Sequence, residues 1–160
     1  GNFDIPIYLT SIPNLIGFIS KIEVEKIPLV TGWMNAMHCV FMDRLSIRKS
    51  GEAIIKGIKN LKAGFSMVIF PEGTRSKGNK MAEFKAGSFK LATKSKCPII
   101  PITINGSYKI MEHGNGSWIK KGTVDFYIHK MVETNGLSKE ELEELPAKIQ
   151  EIVASKLPEQ

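Results

Sequence analysis

The sequence predicts an α/β domain with a mostly parallel central sheet flanked by helices, and three observations carry that expectation. Short apolar, β-branched runs such as Met67-Val68-Ile69 and Ile99-Ile100 read as strands covered on both faces. Helical patterns lie between these runs, and alternation of strand and helix favours right-handed crossovers and parallel pairing. The chain has 160 residues, 42% of them hydrophobic, which is enough for one buried core and too short for two typical domains. A single domain over residues 1–160 is expected, without repeats or low-complexity segments.

In chain order, Asp4 to Ser11 reads as a short helix with Pro6 in its first turn, where a missing N–H costs nothing. Leu15 to Ser20 and His38 to Met42 are the first two strands. Ser46 to Ala63 is a helix because Ile47, Ile54, Ile55, Ile58 and Leu61 recur along one face. Ser66 to Phe70 is a third strand, Gly87 to Ser95 a helix, and Ile99 to Ile104 and Thr123 to Val132 the last two strands. Asn105 to Gly122, rich in glycine and polar residues, reads as a loop. The capping box Ser138-Lys139-Glu140-Glu141 opens an amphipathic helix carrying Leu142, Leu145, Ile149, Ile152, Val153 and Leu157. Residues 137–160 are expected to dock on the domain, since the polar face is acidic where a membrane-lying helix would be basic. Pro146 interrupts the pattern and leaves a division of this helix open.

The run Phe70-Pro71-Glu72-Gly73-Thr74-Arg75-Ser76 holds the chemistry. Pro71 cannot donate to a ladder and ends the strand, Gly73 permits a sharp turn and close backbone approach, and Arg75 offers a planar fork suited to phosphate. A strand-ending turn with a solvated Arg is the plainer alternative. Charge supports an anionic partner. Residues 131–160 hold three Lys against seven Glu, a net of −4, which leaves +10 of the chain's +6 on residues 1–130. Lys77, Lys80, Lys85, Lys90, Lys94 and Lys96 face only Glu83 in the stretch after the turn. Such a field draws anionic lipid surfaces, phosphorylated substrates or an acidic carrier protein; a merely solvated surface is the alternative.

Several classes are excluded. Cys39 and Cys97 have no metal-ligand spacing and read as reduced, buried small hydrophobes, so no metal is expected. No stretch approaches the roughly 18 to 20 apolar residues of a membrane span, so the chain as given reads as soluble or peripheral. Neither a Gly-x-Ser-x-Gly elbow nor a glycine-rich Lys-Ser/Thr loop occurs, which removes α/β-hydrolases and nucleoside triphosphatases. The basic stretch lacks interleaved aromatics, so nucleic acid is not the expected partner.

Four segments in order, Asn2-Phe3-Asp4, Phe41-Met42-Asp43-Arg44, the Phe70 to Ser76 run and Cys97-Pro98-Ile99-Ile100-Pro101-Ile102, resemble the sequence blocks of the 1-acylglycerol-3-phosphate acyltransferase family. The resemblance covers nearly the whole chain. The family's first block reads Asn-His-x-x-x-x-Asp, and Asp4 matches its Asp, so the resemblance implies a truncated N-terminus with the basic His two residues upstream of Gly1. A hydrophobic or amphipathic segment is also expected before that block.

What the resemblance implies is transfer of an acyl group from a thioester, carried by coenzyme A or acyl carrier protein, to the hydroxyl of lysophosphatidic acid. The product is phosphatidic acid, the setting phospholipid synthesis at the cytoplasmic face of a membrane, and no cofactor beyond the co-substrate is implied. The fragment alone is expected to be almost inactive. A hydroxyl needs a base to take its proton as it attacks, and a carboxylate behind an imidazole fixes the tautomer and stabilises the cation. Asp4 takes that orienting role, with an N-terminal helix cap as its structural alternative. Arg44 and Arg75 bind the substrate phosphate, with Lys21 at the end of the first strand beside them and Gly73 and Thr74 supplying backbone or hydroxyl donors. Glu72 braces the loop, Asp43 pairs with an Arg, and the Pro98 to Ile102 strand lies near an acyl-chain groove. None of His38, His113 and His129 has an Asp at the dyad spacing. Glycerol-3-phosphate or another lysophospholipid is the rival acceptor, and a non-catalytic module binding anionic lipid is the rival class.

Overall fold

The computed structural model describes residues 3–43, 45–74, 80–111 and 119–158. Its first layer is a parallel sheet of three strands in the order β2-β1-β3. The strands are β1 Ile16–Lys21, β2 Val40–Met42 and β3 Ser66–Val68. Lys21 stands opposite Met42, and Phe18 opposite Val68. All three strands therefore run toward one edge, where Lys21, Asp43 and Pro71 leave the sheet.

Helices make the crossovers. α1 Asp4–Ser11 precedes β1, and a 3-10 turn Ile22–Lys26 followed by α2 Val30–Ala36 joins β1 to β2. Neither the turn nor α2 is apparent in the sequence, because Val30, Thr31 and Gly32 are poor helix formers. α3 Ile47–Lys62 joins β2 to β3, with Ser46 Oγ accepting from Lys49 N–H at its start. β2 begins two residues later than expected because His38 adopts a left-handed conformation, φ 59°, to turn the chain out of α2. Gly17 makes this approach possible, since a Cβ there would lie 2.7 Å from the His38 carbonyl oxygen.

After β3 the chain passes the loop, a 3-10 turn Ala86–Phe89 and α4 Lys90–Ser95. β4 Ile102–Asn105 and β5 Asp125–Ile128 then pair antiparallel as a separate two-stranded sheet beside the parallel one. Among the described residues the connection between them holds only the four-residue α5 Tyr108–Met111, where a parallel return needs a longer crossover. Pro101 has no N–H, so the ladder starts after it, and Ile99 meets Val132 in an isolated bridge.

α6 Lys139–Ala154 runs unbroken through Pro146. The capping box fixes its start, and Leu145 and Ile149 bury on either side of the proline, so packing outweighs the lost hydrogen bond. Three apolar clusters form the interior. One gathers Tyr8, Ile16, Phe18, Met34, Met37 and Cys39, with Ile102 and Phe126 of the antiparallel pair packed on it. A second joins Ile19, Val40, Ala53 and Leu91, and the third sets Phe84 and Phe89 against Leu145 and Ile149 of α6. Cys39 is buried as expected, whereas Cys97 is only half-buried because it follows the exposed end of α4. No helix among the described residues is long and apolar enough to cross a membrane.

Candidate functional site

A cavity of about 270 Å³ opens between the two sheets and α6. Its wall is mainly apolar, with Phe70, Ile102, Leu91 and Ile149 among its residues. Asp4, Pro71 and Glu72 border it as well. Burying an alkyl chain in such a space releases about 0.8 kcal/mol per methylene.

Asp4 is the first residue of α1, so it is not the helix cap; Phe3 holds that position, without a side-chain cap bond. The Asp4 carboxylate faces the positive end of the helix, and its Oδ1 is buried. Tyr8 lies one turn further on, on the same cavity wall, and stacks edge-on against both Phe18 and Phe126. Those contacts fix the helix on the sheet and with it the position of Asp4.

The loop after β3 is tied down at several points. Gly73, at φ 68°, donates its N–H to Phe70 O at 3.1 Å, a turn that needs glycine. In this structure the Gly73 N–H thus serves the turn. Glu72 Oε2 accepts from Ala82 N–H at 2.8 Å. Pro71 O accepts from Lys85 N–H at 3.0 Å and from Ser88 Oγ at 3.3 Å. Phe84 N–H in turn donates to Gln150 Oε1 of α6 at 2.8 Å. Both limbs of the loop are thereby held against the cavity.

Lys21 is exposed at the end of β1 and Thr74 is exposed beyond Gly73. Arg44 and Arg75 lie outside the described residues, as does His113. Asp43, next to Arg44 in sequence, accepts Leu45 N–H at 3.1 Å and lies 3.3 Å from Lys49 Nζ. Its partner among the described residues is thus a lysine of α3, where an arginine was expected. The Leu45 N–H and then the Lys49 ammonium hold its carboxyl below the usual range. Lys80, Lys85, Lys90, Lys94 and Lys96 are all exposed, so this run is a solvent-facing positive field.

The two described histidines have other duties. His38 stacks on Phe65 with ring centroids 3.7 Å apart, and its carbonyl accepts from Asn60 Nδ2. His129 follows β5, one residue past the strand expected to contain it, with Nε2 2.7 Å from Thr103 Oγ1. Thr103 Oγ1 donates to Val153 O, so His129 must donate through Nε2. No group of three His, Cys, Asp or Glu side chains suited to a metal ion occurs among the described residues.

The chain has relatives among known proteins. Residues 2–105 match the Acyltransferase family model. The chain belongs to the acyltransferase family. Its similarity extends past that region. A 1-acyl-sn-glycerol-3-phosphate acyltransferase of Borreliella burgdorferi is 32% identical over 157 residues, 94% of this chain and 59% of the relative. A chloroplastic 1-acyl-sn-glycerol-3-phosphate acyltransferase of Brassica napus is 37% identical over 125 residues, 78% of this chain and 36% of the relative. The crystal structure of the 1-acyl-sn-glycerophosphate acyltransferase PlsC from Thermotoga maritima superposes with a TM-score of 0.79 at 33% identity, over 95% of this chain and 59% of that one. This acyltransferase chain therefore spans about a third to three fifths of these relatives.

Sequence reasoning missed Tyr8, Gln150 and the α6 wall. Tyr8 and Gln150 sit in helical patterns as single residues without a motif, and only the long-range fold shows what they face.

Proposed function

We propose that the protein transfers a fatty acyl group from a thioester to the free hydroxyl of lysophosphatidic acid, forming phosphatidic acid. The observation that carries this reading is the apolar cavity bordered by Asp4 at one point and by the Pro71-Glu72 turn at another. An alkyl chain and a phosphorylated headgroup need such neighbours. The relatives named above act in their own names on 1-acylglycerol-3-phosphate, which supports the acceptor.

In this mechanism Asp4 orients an imidazole base contributed by residues preceding Gly1. The imidazole removes the acceptor proton as the oxygen attacks the thioester carbonyl; the carbon–sulfur bond then breaks and the thiol leaves with a proton. Arg44, Arg75 and Lys21 hold the phosphate, each charge-assisted bond being worth about 1.5 to 3 kcal/mol. Thr74 adds a hydroxyl, Gly73 the turn and Glu72 the brace on the loop. The donor is a coenzyme A or acyl carrier protein thioester, and the reaction takes place at the cytoplasmic membrane surface.

Arg75→Ala tests the assignment in the full-length protein. The variant is expected to raise KM for lysophosphatidic acid by about tenfold or more, the worth of one charge-assisted bond, with little change in KM for the thioester. Equal effects on both substrates contradict a phosphate clamp, and faster turnover of glycerol-3-phosphate than of lysophosphatidic acid reassigns the acceptor.

A further inference from the structure

Tyr8 carries a hydroxyl that its protein surroundings do not use. The residue is 8% exposed, and its ring packs edge-on against Phe18 and Phe126, contacts that a phenylalanine would make equally well. The hydroxyl has no hydrogen-bond partner among the described residues, although a buried tyrosine normally finds one. Its oxygen is nevertheless not sealed off, and the space that Tyr8 adjoins is the apolar cavity. Burial raises the phenol pKa, so the group stays protonated and offers its hydrogen throughout neutral pH.

The other described polar side chains on the wall are committed. Glu72 accepts Ala82 N–H, Ser88 Oγ donates to Pro71 O, and Cys97 Sγ lies 3.8 Å from Ser95 O. Asp4 is a carboxylate whose contacts do not include Tyr8. Asp4 and Tyr8 stand four residues apart on α1, about 6 Å along the helix, and so line the cavity from one face. A fatty acyl chain is apolar except at its carbonyl. That oxygen accepts and cannot donate, the complement of a hydroxyl without an acceptor.

We propose that the Tyr8 hydroxyl donates a hydrogen bond to the carbonyl oxygen of the fatty acyl group held in the cavity. This rests on the acyl-transfer reading and adds a third recognised group to the alkyl chain and the phosphate. Two substrates carry such a carbonyl, the ester of the 1-acylglycerol-3-phosphate acceptor and the thioester of the donor. Held in this way, the ester distinguishes a lysolipid from glycerol-3-phosphate, which lacks it, whereas the thioester is polarised toward attack.

The test is calorimetric binding to the full-length protein and to its Tyr8→Phe variant, with two matched pairs of ligands short enough to dissolve as monomers. One pair is 1-acylglycerol-3-phosphate and its 1-alkyl ether. The other is an S-(2-oxoalkyl) and an S-alkyl thioether, each carried on coenzyme A and on acyl carrier protein. The members of a pair differ by a carbonyl oxygen. Tyr8→Phe is expected to weaken the carbonyl-bearing member of at least one pair about three- to tenfold, the worth of one neutral hydrogen bond, and to leave its carbonyl-free counterpart unchanged. Loss with the ester places Tyr8 on the acceptor, and loss with the ketone places it on the donor. The ring contacts survive in the variant, so its unfolding midpoint should match or exceed that of wild type, which separates a lost hydrogen bond from a loosened helix. Equal loss for both members of a pair, or no loss with any ligand, overturns the proposal. Binding is read without turnover. A carbonyl-dependent effect of Tyr8 in a protein that forms no phosphatidic acid would keep this hydrogen bond and reject the acyl-transfer reading, and phosphatidic acid formed with affinities indifferent to Tyr8 would do the reverse.

Discussion

Gln150 Oε1 of α6 accepts the backbone N–H of Phe84 at 2.8 Å, joining residues 66 positions apart in sequence. Phe84 is itself buried against Leu145 and Ile149, so its N–H has no ready access to water. Ala82 N–H, two residues earlier, goes to Glu72. Helix α6 and the Glu72 carboxylate of the loop after β3 thus hold the same strap.

Gln150→Met should leave the Phe84 N–H unpaired at a cost of about 1 to 3 kcal/mol, seen in denaturant unfolding. It should also raise KM for the acceptor more than it changes KM for the thioester, since the loop limb is loosened. Gln150→Glu retains an acceptor oxygen and is expected to restore most of both. A stability loss without any acceptor effect would confine Gln150 to the core.

Val153 borders the cavity from α6, so Val153→Phe should shorten the space for an alkyl chain. Each methylene excluded costs about 0.8 kcal/mol, and two make about a tenfold loss. Competition between thioesters of different length should therefore shift toward shorter chains. An unchanged profile would place the acyl chain elsewhere.

Much of this was readable in the residues, and the remainder has physical causes. Pro71 and Gly73 announce a strand end and a turn through backbone properties that hold in any context, and the Ser138 capping box marks α6 for the same reason. The pairing direction of β4 and β5 is open in the sequence because Ile99 to Ile104 looks alike in either direction, and only the register of Ile102 to Asn105 against Asp125 to Ile128 settles it as antiparallel. α2 escaped notice because Met34 and Met37 become buried only through tertiary packing that overrides the weak helix propensity of Val30-Thr31-Gly32. Asp4 was legible as a site residue only through its sequence block, and the structure adds that it begins α1 and borders the cavity.

His129 gives the domain an acid-sensitive joint. Burial, and then the nearby Lys156, press its pKa below the ordinary value of 6.5. The unfolded chain consequently takes up a proton at higher pH than the folded one, and stability is full above about 6.5 and declines as pH falls from there toward the folded pKa. Protonation adds a hydrogen at Nδ1 and leaves the Nε2–H bond to Thr103 Oγ1 in place, so the loss comes from charging a half-buried imidazole near Lys156. In His129→Gln, where nothing titrates, midpoint temperatures measured through this range should depend less on pH than in wild type. Parallel curves would remove His129 from the acid response.

The central claim is that Asp4 supports acyl transfer onto lysophosphatidic acid at the mouth of the cavity. Mass-spectrometric measurement of phosphatidic acid formed by the full-length protein and by its Asp4→Asn variant tests it most directly, with both coenzyme A and acyl carrier protein thioesters supplied. Wild type is expected to form the product, and the variant to form it about 10² to 10⁴-fold more slowly while binding lipid as before. Equal rates in the two proteins, or no phosphatidic acid from wild type with either donor, would contradict the account.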